Sequence, residues 1–126
     1  PIHPRPRARL KEFELIDQLS SEITIVDPVG YLDILKLESS AALILSDSGG
    51  MQKEAFFQQV PCVTLRSETE WIELLPGGHN RLAHPMTESI SEKAEDALSA
   101  DPDWSVDLYG DGHSSETIAQ AIIDYR

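Results

Sequence analysis

The sequence predicts an α/β fold built on a parallel sheet. Two observations carry this. Short apolar runs alternate with helix-like segments, the order that right-handed βαβ crossovers produce. The run 41–45 is also apolar without alternation and stops at a glycine pair, as a strand buried on both faces reads. The length of 126 residues fits one domain, 1–126.

Each element has its own signal. Leu10, Phe13, Ile16 and Leu19 recur every third residue, which predicts an amphipathic helix over 7–19 with Pro6 in its first turn. The β-branched run 22–26 predicts a strand, broken by Asp27-Pro28 and Gly30. A short helix follows over 31–37, then a strand over 41–45. Residues 51–59 read as a helix and 61–65 as the next strand. The acid-rich stretch 66–78, ending Pro76-Gly77-Gly78, reads as a loop, and 80–83 as a fourth strand. Ser89 with Glu92 three residues on is a capping box opening a helix to about Ala100. A polar turn region covers 101–112, and Ile118, Ala121, Ile122 and Tyr125 mark a helix over 114–125.

Composition narrows the function classes. The net charge is −12, from 22 acidic and 10 basic residues, which argues against nucleic acid as a partner. High acid content with only four lysines suits very concentrated salt, where self-repulsion is screened. No apolar run approaches the roughly 18 residues of a membrane span, and no signal peptide opens the chain. A soluble cytoplasmic protein without a membrane partner is expected. The single cysteine, Cys62, lies in an apolar run and reads as a small core residue, so no disulfide framework forms within the chain. The chain opens on "PIHPRPRARL" without an initiator methionine and reads as starting inside a larger fold.

The stretch "LILSDSGGMQKEA" holds the candidate site. In open parallel sheets ligands bind beyond the carboxyl ends of the strands. Ser48-Gly49-Gly50 lies at such an end and opens a helix, so free N–H groups and the positive end of the helix dipole face an anion there. Glycines let a phosphate approach the backbone, and the Ser48 hydroxyl adds a donor. Glu54, about one turn on, can accept hydrogen bonds from both hydroxyls of a ribose. Phosphate donors beside a ribose acceptor describe a nucleoside diphosphate site. An ordinary strand-to-helix turn is the plainer reading of the same residues. Neither a P-loop nor G-x-G-x-x-G is present.

"DPVGYLDILKLESSAALILSDSGGMQKEA", "VPCVTLRSETEW" and "YGDGHSSETI", in this order, resemble the non-hydrolysing UDP-N-acetylglucosamine 2-epimerases, and the likeness covers nearly the whole chain. The resemblance implies the glycosyltransferase-B architecture: two Rossmann-like three-layer domains with a UDP-sugar in the cleft between them. This chain resembles most of the second domain. Ser48, Gly49 and Gly50 would then hold the diphosphate, Glu54 the ribose, and 29–34 would lie near the uracil with Ile34 as the apolar side chain. Arg66 and Glu70 would face the same cleft. The implied reaction inverts C2 of the sugar by eliminating UDP and adding it back. The family's acid/base carboxylates and active-site histidine lie outside this stretch, so the chain carries no catalytic residue and should be inactive alone. No cofactor and no metal are implied; a homodimer is implied for the full-length protein.

The chain departs from many bacterial members at Trp71, where they carry arginine, and at Ile34, where they often carry phenylalanine. The T-E-W form resembles an archaeal and amino-sugar-acid branch. A non-catalytic nucleotide-binding module, or the donor domain of a related glycosyltransferase, is the alternative from another class. His3 and His79 are secondary candidates for facing the cleft, with loop packing as the plainer reading. His84, His113, Trp71 and Trp104 read as packing. The stretch 107–112 lacks the ligand alternation of a calcium loop, and Ser48 lacks the G-x-S-x-G elbow of a hydrolase.

Overall fold

Three short parallel strands, β1 (Ile44–Ser46), β2 (Cys62–Thr64) and β3 (Asn80–Leu82), lie side by side in sequence order in the computed structural model, which describes residues 1–125. Ile44 pairs with Cys62 and Cys62 with Asn80, so the register runs straight across the sheet. Helix α4 (Gly49–Phe57) connects β1 to β2, and α5 (Ile90–Ser99) follows β3.

The pleat of β2 explains the layers. Successive side chains point to opposite faces. Cys62 packs with Ile44, Ala55 and Val60, the last two from α4 and the turn after it. Val63 packs with Ala83 and with Ala97 of α5. Helices therefore cover both faces, and every residue of β2 is buried. The parallel sheet is as expected, but the run 41–45 is not buried on both faces: β1 is an edge strand of the described sheet and Leu45 is 49% exposed. Cys62, fully buried, is the core residue its surroundings predicted.

The described residues form two compact units, 1–40 and 41–125. The first holds α1 (Pro4–Glu12), α2 (Ile16–Glu22) and α3 (Tyr31–Glu38). Two expectations fail here. The helix expected over 7–19 is two helices. A spacing of three falls short of a 3.6-residue turn, so three such steps walk the apolar stripe about 180° round the axis. The chain resets instead at Glu14, whose φ is 56°. Glu14 N–H donates to the Lys11 carbonyl and Leu15 N–H to the Leu10 carbonyl, a Schellman ending with a left-handed non-glycine residue. The strand expected over 22–26 is also absent. α2 runs to Glu22, and among the described residues the one backbone bond tying the residues beyond it to another segment is Ile2 N–H to the Val26 carbonyl, at 2.9 Å. β-branched residues fit a pleated surface but cannot supply a partner strand.

The same ending recurs after α4. Gln59 has φ 57°, its N–H donates to the Phe56 carbonyl, and Val60 N–H donates to the Ala55 carbonyl. The left-handed conformation costs a side-chain-bearing residue about 1 kcal/mol or more. Gln59→Gly is therefore expected to raise the unfolding free energy in urea by roughly 1 kcal/mol; an unchanged or lower midpoint would count against this strain.

The capping box behaves as its spacing predicts: Ser89 caps α5, its Oγ accepting from Glu92 N–H at 3.2 Å. The region 101–112 turns on aspartates, with Asp103 accepting from Ser105 N–H and Asp107 from Gly110 N–H. The last helix, α6 (Ser114–Asp124), leaves Ile118, Ile122 and Ile123 exposed. No helix among the described residues is long and apolar enough to cross a membrane.

Candidate nucleotide site at the start of α4

β1 ends at Ser46, and α4 begins only three residues later, at Gly49. The helix thus starts two residues earlier than the apolar spacing indicated, and both glycines lie in its first turn. Ser48 is the N-cap, with extended backbone, but its side chain makes no cap bond. Instead Ser48 N–H donates to Ser46 Oγ at 3.1 Å. The Ser48 hydroxyl and the first N–H groups of α4 are thereby left facing outward from the carboxyl end of the sheet. Glu54 lies four residues beyond Gly50, hence on the same helix face, and helical side chains lean toward the N-terminus. It is half-buried. Ser48, Gly49, Gly50 and Glu54 therefore come together on one short element.

The loop after β2 closes over this turn. Arg66 pairs with Glu70 at 3.0 Å, both partly exposed. A Cβ built on Gly49 would meet the Glu70 carboxylate, so the loop packs directly over this glycine. The carboxylate is the far end of a flexible side chain and can swing into solvent. Gly49→Ala should therefore fold normally, with a melting temperature close to that of the unaltered protein. A melting curve checks this; a drop of many degrees would show that the carboxylate cannot leave.

Trp71 is not oriented outward. Its indole N–H donates to the Gly49 carbonyl at 2.8 Å. The Lys53 ammonium lies 3.6 Å from the centre of its ring and 4.3 Å from that of Tyr109. Such a cation–π pair contributes about 0.5–1 kcal/mol or more. Where many bacterial relatives carry arginine, this chain thus braces the glycine turn from behind. Burial raises the Tyr109 hydroxyl pKa, and the neighbouring Glu73 carboxylate raises it further. Glu73 is lowered, first by a backbone hydrogen bond and then by the Tyr109 hydroxyl.

A buried polar chain lies beneath, and sequence reasoning missed it. Thr64 Oγ1 donates to Asn80 Oδ1, and Asn80 Nδ2 donates to Gln52 Oε1, both at 2.9 Å. Gln52 Oε1 accepts also from Thr69 Oγ1, which in turn accepts from Trp71 N–H. Gln52, Thr64 and Asn80 are each at most 1% exposed. The legible signal was Gln52 itself, a polar residue on the stripe it shares with buried Ala55 and Phe56.

Three further candidates are Ile34, His3 and His79. Ile34 sits half-buried on α3, within the first unit. His3 caps α1. His79 is a packing residue: it is 3% exposed, its Nε2 lies 2.9 Å from the Asp103 carbonyl, and its ring meets Phe56 and Trp104 edge-on. Among the described residues no cluster of three or more His, Cys, Asp or Glu side chains is placed to hold a metal ion.

Residues 1–123 match the family model described as UDP-N-acetylglucosamine 2-epimerase. The chain is 45% identical over 123 residues to the UDP-N-acetylglucosamine 2-epimerase of Methanocaldococcus jannaschii, covering 96% of this chain and 33% of that protein. It is 42% identical over 120 residues to a UDP-2,3-diacetamido-2,3-dideoxy-D-glucuronate 2-epimerase of Pseudomonas aeruginosa, covering 95% and 33%. The crystal structure of the M. jannaschii epimerase in complex with UDP-GlcNAc and UDP superposes with a TM-score of 0.84 at 45% identity, over 99% of this chain and 34% of that one. The Neisseria meningitidis enzyme bound to UDP-GlcNAc gives 0.60 at 26% identity, over 98% and 35%. The chain spans about a third of the length of the relatives it matches. On its sequence and on its three-layer parallel fold alike, it belongs to the UDP-N-acetylglucosamine 2-epimerase family.

Proposed function

We propose that this chain is the UDP-binding part of a UDP-N-acetylglucosamine 2-epimerase. The observation that carries the reading is the start of α4. Outward N–H groups, an uncommitted Ser48 hydroxyl and Glu54 share one face, in a chain 45% identical to an enzyme crystallised with UDP-GlcNAc and UDP. Ser48, Gly49 and Gly50 take the diphosphate, Glu54 accepts from the ribose hydroxyls, and Arg66 adds positive charge beside the phosphates.

The chemistry follows from what the leaving group needs. A base removes the proton at C2, the C1–O bond breaks, and UDP leaves with the electron pair, giving a 2-acetamidoglucal. UDP then adds back to C1 while a proton enters C2 from the opposite face. The carboxylates that move the proton are supplied by the rest of the protein. This chain's share is to stabilise the charge that grows on the departing diphosphate, through N–H donors that need no reorganisation. Alone it binds UDP and turns nothing over. The test is the full-length protein with UDP-GlcNAc in deuterated water. UDP-ManNAc carrying deuterium at C2 is the expected product; recovery of protiated UDP-GlcNAc alone would reject the epimerase.

The similarity to the P. aeruginosa enzyme supports a second sugar, a diacetamido-uronic acid, with the same inversion at C2. Comparing turnover of the two UDP-sugars separates them. The charge of −12 supports work in concentrated salt, in the cytoplasm. The melting temperature should then rise from dilute buffer to molar potassium chloride; a flat response would reject this. A homodimer is proposed for the full-length protein, to be read from its mass in solution.

A further inference from the structure

We infer that Gln52 and Thr69 form a positioning pair that sets the loop carrying Arg66 and Glu70 against the start of α4. The inference rests on the UDP-binding reading above.

The loop has few other anchors. Between Leu65 and the 3-10 turn Ile72–Leu74, its backbone bonds are those at its two ends, Arg66 N–H to the Thr64 carbonyl and Leu74 N–H to the Trp71 carbonyl. Its middle is fixed by side chains. Thr69 Oγ1 donates to Gln52 Oε1 and accepts from Trp71 N–H, so one hydroxyl closes the loop on itself and ties it to α4. The Trp71 indole makes the second tie, to the Gly49 carbonyl. Both ties land on the first turn of α4 and the residue behind it.

Gln52 suits this use because it cannot move. It is 1% exposed, and Asn80 Nδ2 holds its Oε1 from the sheet side at 2.9 Å. Asn80 is held in turn by Thr64. Its Nε2 points at the Ser48 carbonyl, at 3.4 Å. One amide thus takes its position from β2 and β3 and passes it both to the residue capping α4 and to the loop opposite. A leucine or methionine would fill the same volume without fixing the loop. Buried polar groups that are fully satisfied rigidify and specify an arrangement. The arrangement specified here is the position of Arg66 relative to Ser48, Gly49 and Gly50.

The test uses the full-length protein and UDP as the probe. Thr69 is only partly buried, so Thr69→Val should still fold cooperatively, with a small drop in melting temperature. Losing the two neutral hydrogen bonds of this hydroxyl should raise the Kd for UDP roughly three- to tenfold. Thr69→Ser, which keeps the hydroxyl, should restore it. Because the pair acts through Arg66, Thr69→Val should have almost no further effect in an Arg66→Ala background. Three results would overturn the inference: a Thr69→Val affinity within twofold of wild type, a Thr69→Ser protein as weak as Thr69→Val, or an effect of Thr69→Val undiminished without Arg66. If wild-type protein does not bind UDP, the site reading itself falls and takes this inference with it. If wild type binds and Glu54→Ala does not, but Thr69→Val binds normally, only the positioning role is lost.

Discussion

Glu54→Ala should lower the affinity of the full-length protein for UDP by roughly ten- to a hundredfold while leaving its stability unchanged. Hydrogen bonds to a charged group contribute about 1.5–3 kcal/mol each, and one carboxylate can accept from both hydroxyls of a ribose. Losing one such bond is enough for the lower figure, since 1.4 kcal/mol is a factor of ten. The helix should not notice. Alanine is the best helix former, and the Glu54 side chain makes no hydrogen bond or ion pair among the described residues. Calorimetry gives the affinity and a melting curve the control. Glu54→Gln sharpens the result: it keeps the shape and loses the charge, so it should fall between wild type and alanine. Binding within twofold of wild type in Glu54→Ala would mean that the ribose lies elsewhere.

Gly77→Ala should destabilise the protein by roughly 2–4 kcal/mol. A Cβ at this position would fall onto Nδ1 and Cε1 of the His79 ring. Unlike the Glu70 carboxylate over Gly49, this ring has nowhere to go. It is buried, packed against Phe56 at 5.1 Å and Trp104 at 5.0 Å between ring centres, and fixed by the Asp103 carbonyl. Overpacking of a filled core costs about 1–3 kcal/mol, and breaking the bond to Asp103 adds about 1 kcal/mol or more. Urea unfolding measures the loss. The double variant Gly77→Ala with His79→Ala should recover part of it, because the clash partner is gone. A single variant as stable as wild type would show that the ring relaxes freely. The two glycines thus make opposite predictions for one reason: what matters is whether the atom in the way can leave.

Much of this was legible in the sequence, for identifiable reasons. The parallel sheet could be read because strands and helices alternate along the chain and β2, covered on both faces, is mostly apolar. The capping box could be read because its signal is local, a hydroxyl three residues before an N–H. The glycine turn could be read because few residue types tolerate a close approach of the backbone. The N-terminal unit was not legible to the same degree. Its apolar spacing of three fits one face of a helix only briefly, and Glu14 enters the left-handed region without the glycine that usually announces it. The run 22–26 has strand-forming residues and no ladder, which no local pattern reveals. The Thr64–Asn80–Gln52–Thr69 chain was invisible for another reason. Its successive links span 16, 28 and 17 positions, and only the fold makes its members neighbours.

Cys62 gives this fold an internal reporter. Its sulfur sits in the central strand, with Ile44 paired on one side and Asn80 on the other, and no solvent reaches it. An alkylating reagent can reach that thiol only when α4 lifts from the sheet or the strands part. Its reaction rate therefore counts how often this core opens, without any probe having to be engineered in. A ligand held at the end of β1 and the start of α4 would slow that clock, because it binds only the closed form.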